Sequence, residues 1–292
     1  MSFKHILVPV FGYDADRTAL DAALILAKKS GAHISVRHTK VDPMESVPLM
    51  VDVGVAATEL IEAVERHAET RSKAAAVTFE AWRSERDLKI DDQPSLRTGI
   101  TTAFKTEEGA EDELIIKYGR LTDIVVIGRP SGEEAGDQVL SRMEDALFGA
   151  GQPVLLVPNG VGQAALEKLV TGPALISWNG SIEATRAVSQ ALDLLRGITH
   201  VRVLSVKEGR KDRHPAADLV RYLAWEGVSA SVIEPAQTSG NAAEQILATA
   251  KQLGAGFVLM GGYSHGRLRQ LMLGGVTSHM MDNADLPVLM AH

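Results

Sequence analysis

Residues 262–266, Gly-Tyr-Ser-His-Gly, have the Gly-x-Ser-x-Gly spacing of a hydrolase nucleophile elbow, in which a tight turn after an apolar strand exposes a serine hydroxyl. The same segment runs on through His265, Arg267 and Arg269 to Gly274-Gly275-Val276-Thr277-Ser278, and so reads equally as a phosphate cradle. Glycines let a backbone approach phosphate oxygens, and a following helix offers free N–H groups and the positive end of its dipole. Ser264 is a nucleophile, a phosphate ligand or a turn residue. An elbow enzyme draws its acid and histidine from strands beyond the serine, but only 28 residues follow Ser264. Those residues include Asp282, Asp285, His279 and His292 and have room for one helix and one closing strand. Ser264 is therefore expected as a turn residue or phosphate donor.

Other chemistries find less support. The chain has no cysteine, which removes disulfides, thiol catalysis and thiolate metal sites. Its nine histidines include no His-Glu-x-x-His, so no metal site is expected. His38 reads as a core or strand-end residue, and Trp178 as core or the wall of a crevice beside Asn179. A net charge of −7 and a pI near 5.7 argue against a surface built to neutralise nucleic-acid phosphates. The first sixteen residues hold a six-residue apolar run followed by acids, which fits neither a signal peptide nor a membrane span, and a cytoplasmic location is expected.

The elements that would position such a loop come as an internal repeat. The segment from His5, HILVPVFGYDADRTALDAALILAKKSGAHISVRHT, aligns with that from Ala174, ALISWNGSIEATRAVSQALDLLRGITHVRVLSV. Each is an apolar strand, a glycine turn, an amphipathic helix and a second strand. Helical spacing is kept by Ala19, Ala22, Ala23, Leu26 and Ala27, and again by Ala184, Ala187, Val188, Ala191, Leu192 and Leu195. LTDIVVIGRP from Leu121 matches GAGFVLMGGY from Gly254, and QPVLLVP from Gln152 matches LPVLMAH from Leu286. Continuous Val/Ile/Leu strands alternating with helices imply parallel sheets covered on both faces. Two tandem doubly wound α/β domains are expected, at 1–158 and 172–292, joined by the Gly- and Pro-punctuated segment from Pro158 to Gly172. The first is longer through Asp42–Arg97, which reads as an added turn and a long helix that packs on the fold, forms a lid or offers a partner surface. Arg83–Asp92, RSERDLKIDD, reads as solvated surface.

These residues resemble the universal stress protein family in its tandem two-domain form. The likeness rests on ILVPVFG and ALISWNGS at the first strands, VRHT and VLSV at the second, the GGYSHGRLRQLMLGGVTSHM loop, and the terminal PVLLV and PVLM strands. It implies an adenine nucleotide alpha hydrolase-like fold, a stress-adaptation role, dimers, and in some members ATP or ADP as ligand. In nucleotide-binding members the loop reads Gly, two residues, Gly, nine residues, Gly, then Ser or Thr. Here Gly261 opens it and Gly274 anchors it, with Ser264 in place of the second glycine and Gly275 in place of the hydroxyl, near Thr277 and Ser278. Asn179 stands where those members carry an Asp that contacts adenosine. The resemblance thus implies phosphates on Gly261, Gly262, Ser264, Gly274, Gly275 and Thr277, and adenosine near Asn179 and the backbone of Val206. The glycines also serve tight strand-to-helix packing, and that reading stays open beside the first.

The matching loop of the first half carries Pro130, Glu133, Glu134 and Asp137, and Phe11 stands in the place of Asn179, so its site is expected to be lost. Two functions follow. One is a stress or signalling module using nucleotide in its C-terminal half, with slow ATP hydrolysis as the most it would catalyse. The other is an interaction module of the same fold that binds no nucleotide. The two halves are expected to pair through Pro153-Val-Leu-Leu-Val and Pro287-Val-Leu-Met about a pseudo-twofold axis, and whole chains to form a homodimer, with neither nucleic acid nor membrane as partner.

Overall fold

In the strand His5–Val10 (β1), Ile6, Val8 and Val10 point to one core and Leu7 to another. Both faces of such a strand are buried, because successive side chains leave a strand on opposite sides. The same alternation recurs in Ile124–Arg129 (β5), where Ile124 and Val126 oppose Val125 and Ile127, and in Ala174–Trp178 (β7), where Ala174 and Ile176 oppose Leu175. The computed structural model describes residues 3–42, 55–93, 99–131, 136–205, 214–236, 240–262 and 275–292. Its remaining strands are His33–Val41 (β2), Lys89–Ile90 (β3), Thr101–Gly109 (β4), Val154–Pro158 (β6), Val201–Ser205 (β8), Ala230–Ile233 (β9), Phe257–Gly261 (β10) and Val288–Ala291 (β11).

These strands form one sheet in the order β3-β4-β2-β1-β5-β6-β11-β10-β7-β8-β9. Neighbours run parallel except at the centre, where β6 and β11 pair antiparallel with Leu155 opposite Leu289. The pairing expected of the two terminal strands is thus present, and it makes two α/β halves into one sheet.

Helices cover both faces. On one lie Ala15–Lys28 (α1), Val55–Glu85 (α2), Gln163–Thr171 (α5), Ile182–Leu195 (α6) and Ala216–Trp225 (α7). On the other lie Glu111–Gly119 (α3), Gly136–Asp145 (α4) with its π-helical extension Ala146–Ala150, Ala242–Leu253 (α8) and Gly275–Asn283 (α9). The two long repeat helices bury the alanine-rich faces read from the sequence, although in α6 it is Leu194 rather than Leu192 that is buried beside Leu195. The expected added helix is α2. It lies on the sheet as packing: Phe79 stacks on Phe104 at 5.1 Å, and Trp82 is wholly buried with its Nε1–H on Asp21 at 3.0 Å. The Pro158–Gly172 connection is not an open linker, since α5 fills it and buries Leu166 and Leu169 against the core. Part of the Arg83–Asp92 run is also structural, with Leu88 buried and Arg86 paired to Asp21.

Candidate nucleotide crevice and its N-terminal counterpart

In the second half, chain order places β8 and β9 on one side of β7 and β10 and β11 on the other. The order reverses between β7 and β10, and in open parallel sheets that reversal leaves a crevice at the carboxyl ends of the two strands. Asn179 follows β7 there, and Gly261 and Gly262 close β10, one step beyond the paired Met260 and Ser177.

Each rim residue has a local reason. Ser181 caps α6 by accepting from the Ala184 N–H at 3.1 Å, which satisfies one of the otherwise free donors of the first turn. Asn179 is exposed, and its Oδ1 accepts from the Ser181 N–H at 3.1 Å. Its acceptor therefore holds the turn and its amide donors are left toward solvent. Trp178 is buried below it, with its indole N–H on the His214 carbonyl at 2.8 Å.

Gly261 sits hard against the start of α6: a methyl group there would lie 2.5 Å from the Ala184 nitrogen and 2.7 Å from the Glu183 carbonyl carbon. The matching Gly128 of β5 meets α1 in the same way, with the Ala15 oxygen 2.4 Å from such a methyl. Strand-to-helix packing accounts for glycine at both positions. Gly262 is buried at the junction of the halves, where its N–H donates to the Ala291 carbonyl at 2.8 Å and its own carbonyl lies 3.1 Å from His292 Nδ1. Gly275 opens α9 with open space around it, and Thr277, two residues further on, is buried. Val206, Ser264 and Gly274, with His265, Arg267 and Arg269, lie outside the described residues, as do Glu133 and Glu134 of the first half.

The first half differs in its occupants. The Asp16 carboxylate is buried and accepts from the N–H groups of Phe11 at 3.0 Å, Gly12 at 2.7 Å and Tyr13 at 3.2 Å. The turn after β1 thus already holds an anion, its own. Burial pushes the Asp16 carboxyl up to about 6, against the opposing pull of those three N–H groups and Arg71. Arg71, from α2, donates through Nε to the Phe11 carbonyl at 2.6 Å and through Nη2 to Glu111 at 2.6 Å. Arg142 also meets Glu111, its Nε at 2.6 Å, and lies 4.1 Å over the Phe11 ring. A cavity of about 430 Å3 remains beside this cluster, lined by Thr39, His67, Arg71, Glu111, Ser141 and Arg142 among others. Nothing in the sequence pattern pointed to the cluster, because its members come from α2, α3 and α4. His38 is buried with Nδ1 2.9 Å from the Val10 carbonyl, while its Nε2 has no partner among the described residues, and burial lowers its pKa.

Among the described residues no group of three or more His, Asp or Glu is placed to hold a metal ion, and no helix is long and apolar enough to cross a membrane.

Residues 174–292 match the family model of the universal stress protein family. The C-terminal half of this chain belongs to that family. A universal stress protein from Archaeoglobus fulgidus DSM 4304 is similar in fold along almost the whole length, with a TM-score of 0.62, 18% identity, and 98% of this chain and 97% of the other covered. A functionally unknown protein from Pseudomonas aeruginosa PAO1 matches with a TM-score of 0.56, 15% identity, and 99% and 92% covered. At such identities the likeness shows fold alone: both halves of the chain share the α/β architecture of those structures. No curated protein sequence matches the chain.

Proposed function

We propose that this chain is a stress-response protein of the universal stress type that binds ATP or ADP in its C-terminal half, with 1–158 and 172–292 as its two domains. The observation that carries the reading is the contrast between the two strand-end crevices. The first is filled by Asp16 and by Arg71, Glu111 and Arg142. The second presents an exposed Asn179 and the glycine end of β10.

Adenosine would be held near Asn179 and the Val206 backbone, and phosphates on Gly261, Gly262, Ser264, Gly274, Gly275 and Thr277. The described residues fit that group in kind. The Asn179 amide retains donors for a nucleoside, and the start of α9 supplies free backbone N–H groups and a positive dipole end. With Asn179, Ser264 and Gly275 departing from the fuller motif, affinity would be weaker by about one to two decades per lost polar contact. Catalysis would be confined to slow ATP hydrolysis. The proposal includes a cytoplasmic location and a homodimer of whole chains.

A second reading is an interaction module without nucleotide, and the α6 contact of Gly261 favours it because packing alone explains that glycine. Calorimetry with ATP and ADP on the wild type and on Gly274→Asp separates the two. Binding that the aspartate abolishes supports the nucleotide reading. Unchanged binding places the ligand elsewhere, and no heat from either protein at millimolar ATP supports the interaction module.

A further inference from the structure

Trp225 at the end of α7 is 86% exposed, whereas Trp82 and Trp178 are 0% and 6% exposed. Helix α7 buries Ala216, Leu219 and Leu223 against the sheet. Its outer face carries a second stripe at helical spacing, Ala217, Asp218, Arg221, Tyr222 and Trp225, all exposed, with Pro215 leading into the first turn. A helix needs one apolar stripe to join a core, and α7 has that on its inner side. The aromatic pair three residues apart on the outer side has no role in this fold. Below it the edge strand β9 adds Val232, 48% exposed, on the same side as Ala230, which packs on the core beneath α7. Neither Asp218 nor Arg221 forms an ion pair with another described residue.

We infer that the outer face of α7 is the twofold interface through which a second copy of this chain docks. The face is self-complementary, as an isologous contact requires because each pair of residues must occur twice. Two copies of α7 laid antiparallel about an axis beside Leu219–Val220 set Asp218 of each copy against Arg221 of the other. The same placement sets Tyr222 against Ala217 and Trp225 against His214, beside Pro215. Two ion pairs and two aromatic contacts then close around one axis, with no like charges opposed. A partner of one-sided charge would leave either Asp218 or Arg221 unmatched. The arrangement uses the sheet edge opposite the β6–β11 junction of the halves, so it joins whole chains, and it stands whether or not nucleotide binds. One short helix and the adjoining strand cover less area than a permanent dimer, so the association is weak, in the micromolar range.

The test is sedimentation velocity on the full chain over a concentration series, with tryptophan emission recorded on the same samples. Because Trp225 is the exposed tryptophan, dimerisation moves the emission to shorter wavelength in step with mass. Trp225→Ala is expected to weaken association about tenfold or more, as loss of a buried interface aromatic does, with unchanged circular dichroism and melting. Asp218→Arg and Arg221→Asp each oppose like charges across the axis and weaken it similarly, while the double variant restores it to within a few-fold of wild type. A wild type that stays monomeric at several hundred micromolar overturns the inference. So does a dimer indifferent to Trp225→Ala, or a double charge exchange that fails to rescue. An emission shift that appears only with phosphatidylserine vesicles assigns the patch to a lipid surface, and also overturns it.

Discussion

Leu289 of β11 lies directly opposite Leu155 of β6 in the antiparallel pair at the centre of the sheet, and each is 1% exposed. The two halves are therefore joined by main-chain ladder bonds and by side chains buried on both faces. Truncating either leucine to alanine should cost about 2–5 kcal/mol, as cavity-forming core substitutions do. Because the two side chains touch one junction, Leu155→Ala with Leu289→Ala should depart from additivity by about 0.5 kcal/mol or more. Urea unfolding of the three variants reads this, and simple additivity would show that the junction transmits little.

Asp16 predicts a pH dependence with a definite sign. Its folded pKa of about 6 lies above the ordinary 3.8, so the folded chain holds that proton more tightly than the unfolded one. The contribution is complete below the unfolded value and is lost as pH rises toward 6 and beyond, on the order of 2–3 kcal/mol in all. Asp16→Asn should flatten this decline. Denaturant midpoints from pH 4 to 7.5 are the measurement, and an unchanged slope in the variant would locate the titration elsewhere.

Glu111 sits between two buried guanidinium groups, with side-chain exposures of 13% for Glu111, 10% for Arg71 and 5% for Arg142. Glu111→Ala leaves both cations without their shared carboxylate, which should cost about 3–5 kcal/mol. A thermal melt that shifts by only a degree or two would show that water enters and replaces the lost acceptor.

Gly261→Ala and Gly275→Ala separate packing from ligand binding. The first forces a methyl into the backbone at the start of α6, an overpacking expected to cost about 1–3 kcal/mol, while the second meets open space and should leave stability within about 0.5 kcal/mol. If nucleotide lies on the start of α9, Gly275→Ala lowers its affinity without lowering the melting temperature. Equal stability losses in the two variants would contradict the packing account of Gly261.

Much of the architecture is legible in the order of residues because its causes are local. Strand and helix periods, the repeat from His5 to Ala174, and the paired terminal runs Pro153–Val157 and Pro287–Met290 follow from which side chains must leave water. The conformation of the Pro158–Gly172 connection escaped that reading, since Leu166 and Leu169 are too few to mark a helix until α1 is there to receive them. The filling of the first crevice was hidden for the same reason: Arg71, Glu111 and Arg142 are up to 71 positions apart and meet only when α2, α3 and α4 converge above β1. The sequence alone determined the elements, their repetition and the glycine at the end of β10. Tertiary structure alone decided that Gly261 yields to a helix backbone, that Asn179 spends its oxygen on its own turn, and that Asp16 occupies the N–H groups after β1. Each of those outcomes depends on distances between backbone and side-chain atoms of different segments, which no spacing along a single chain specifies.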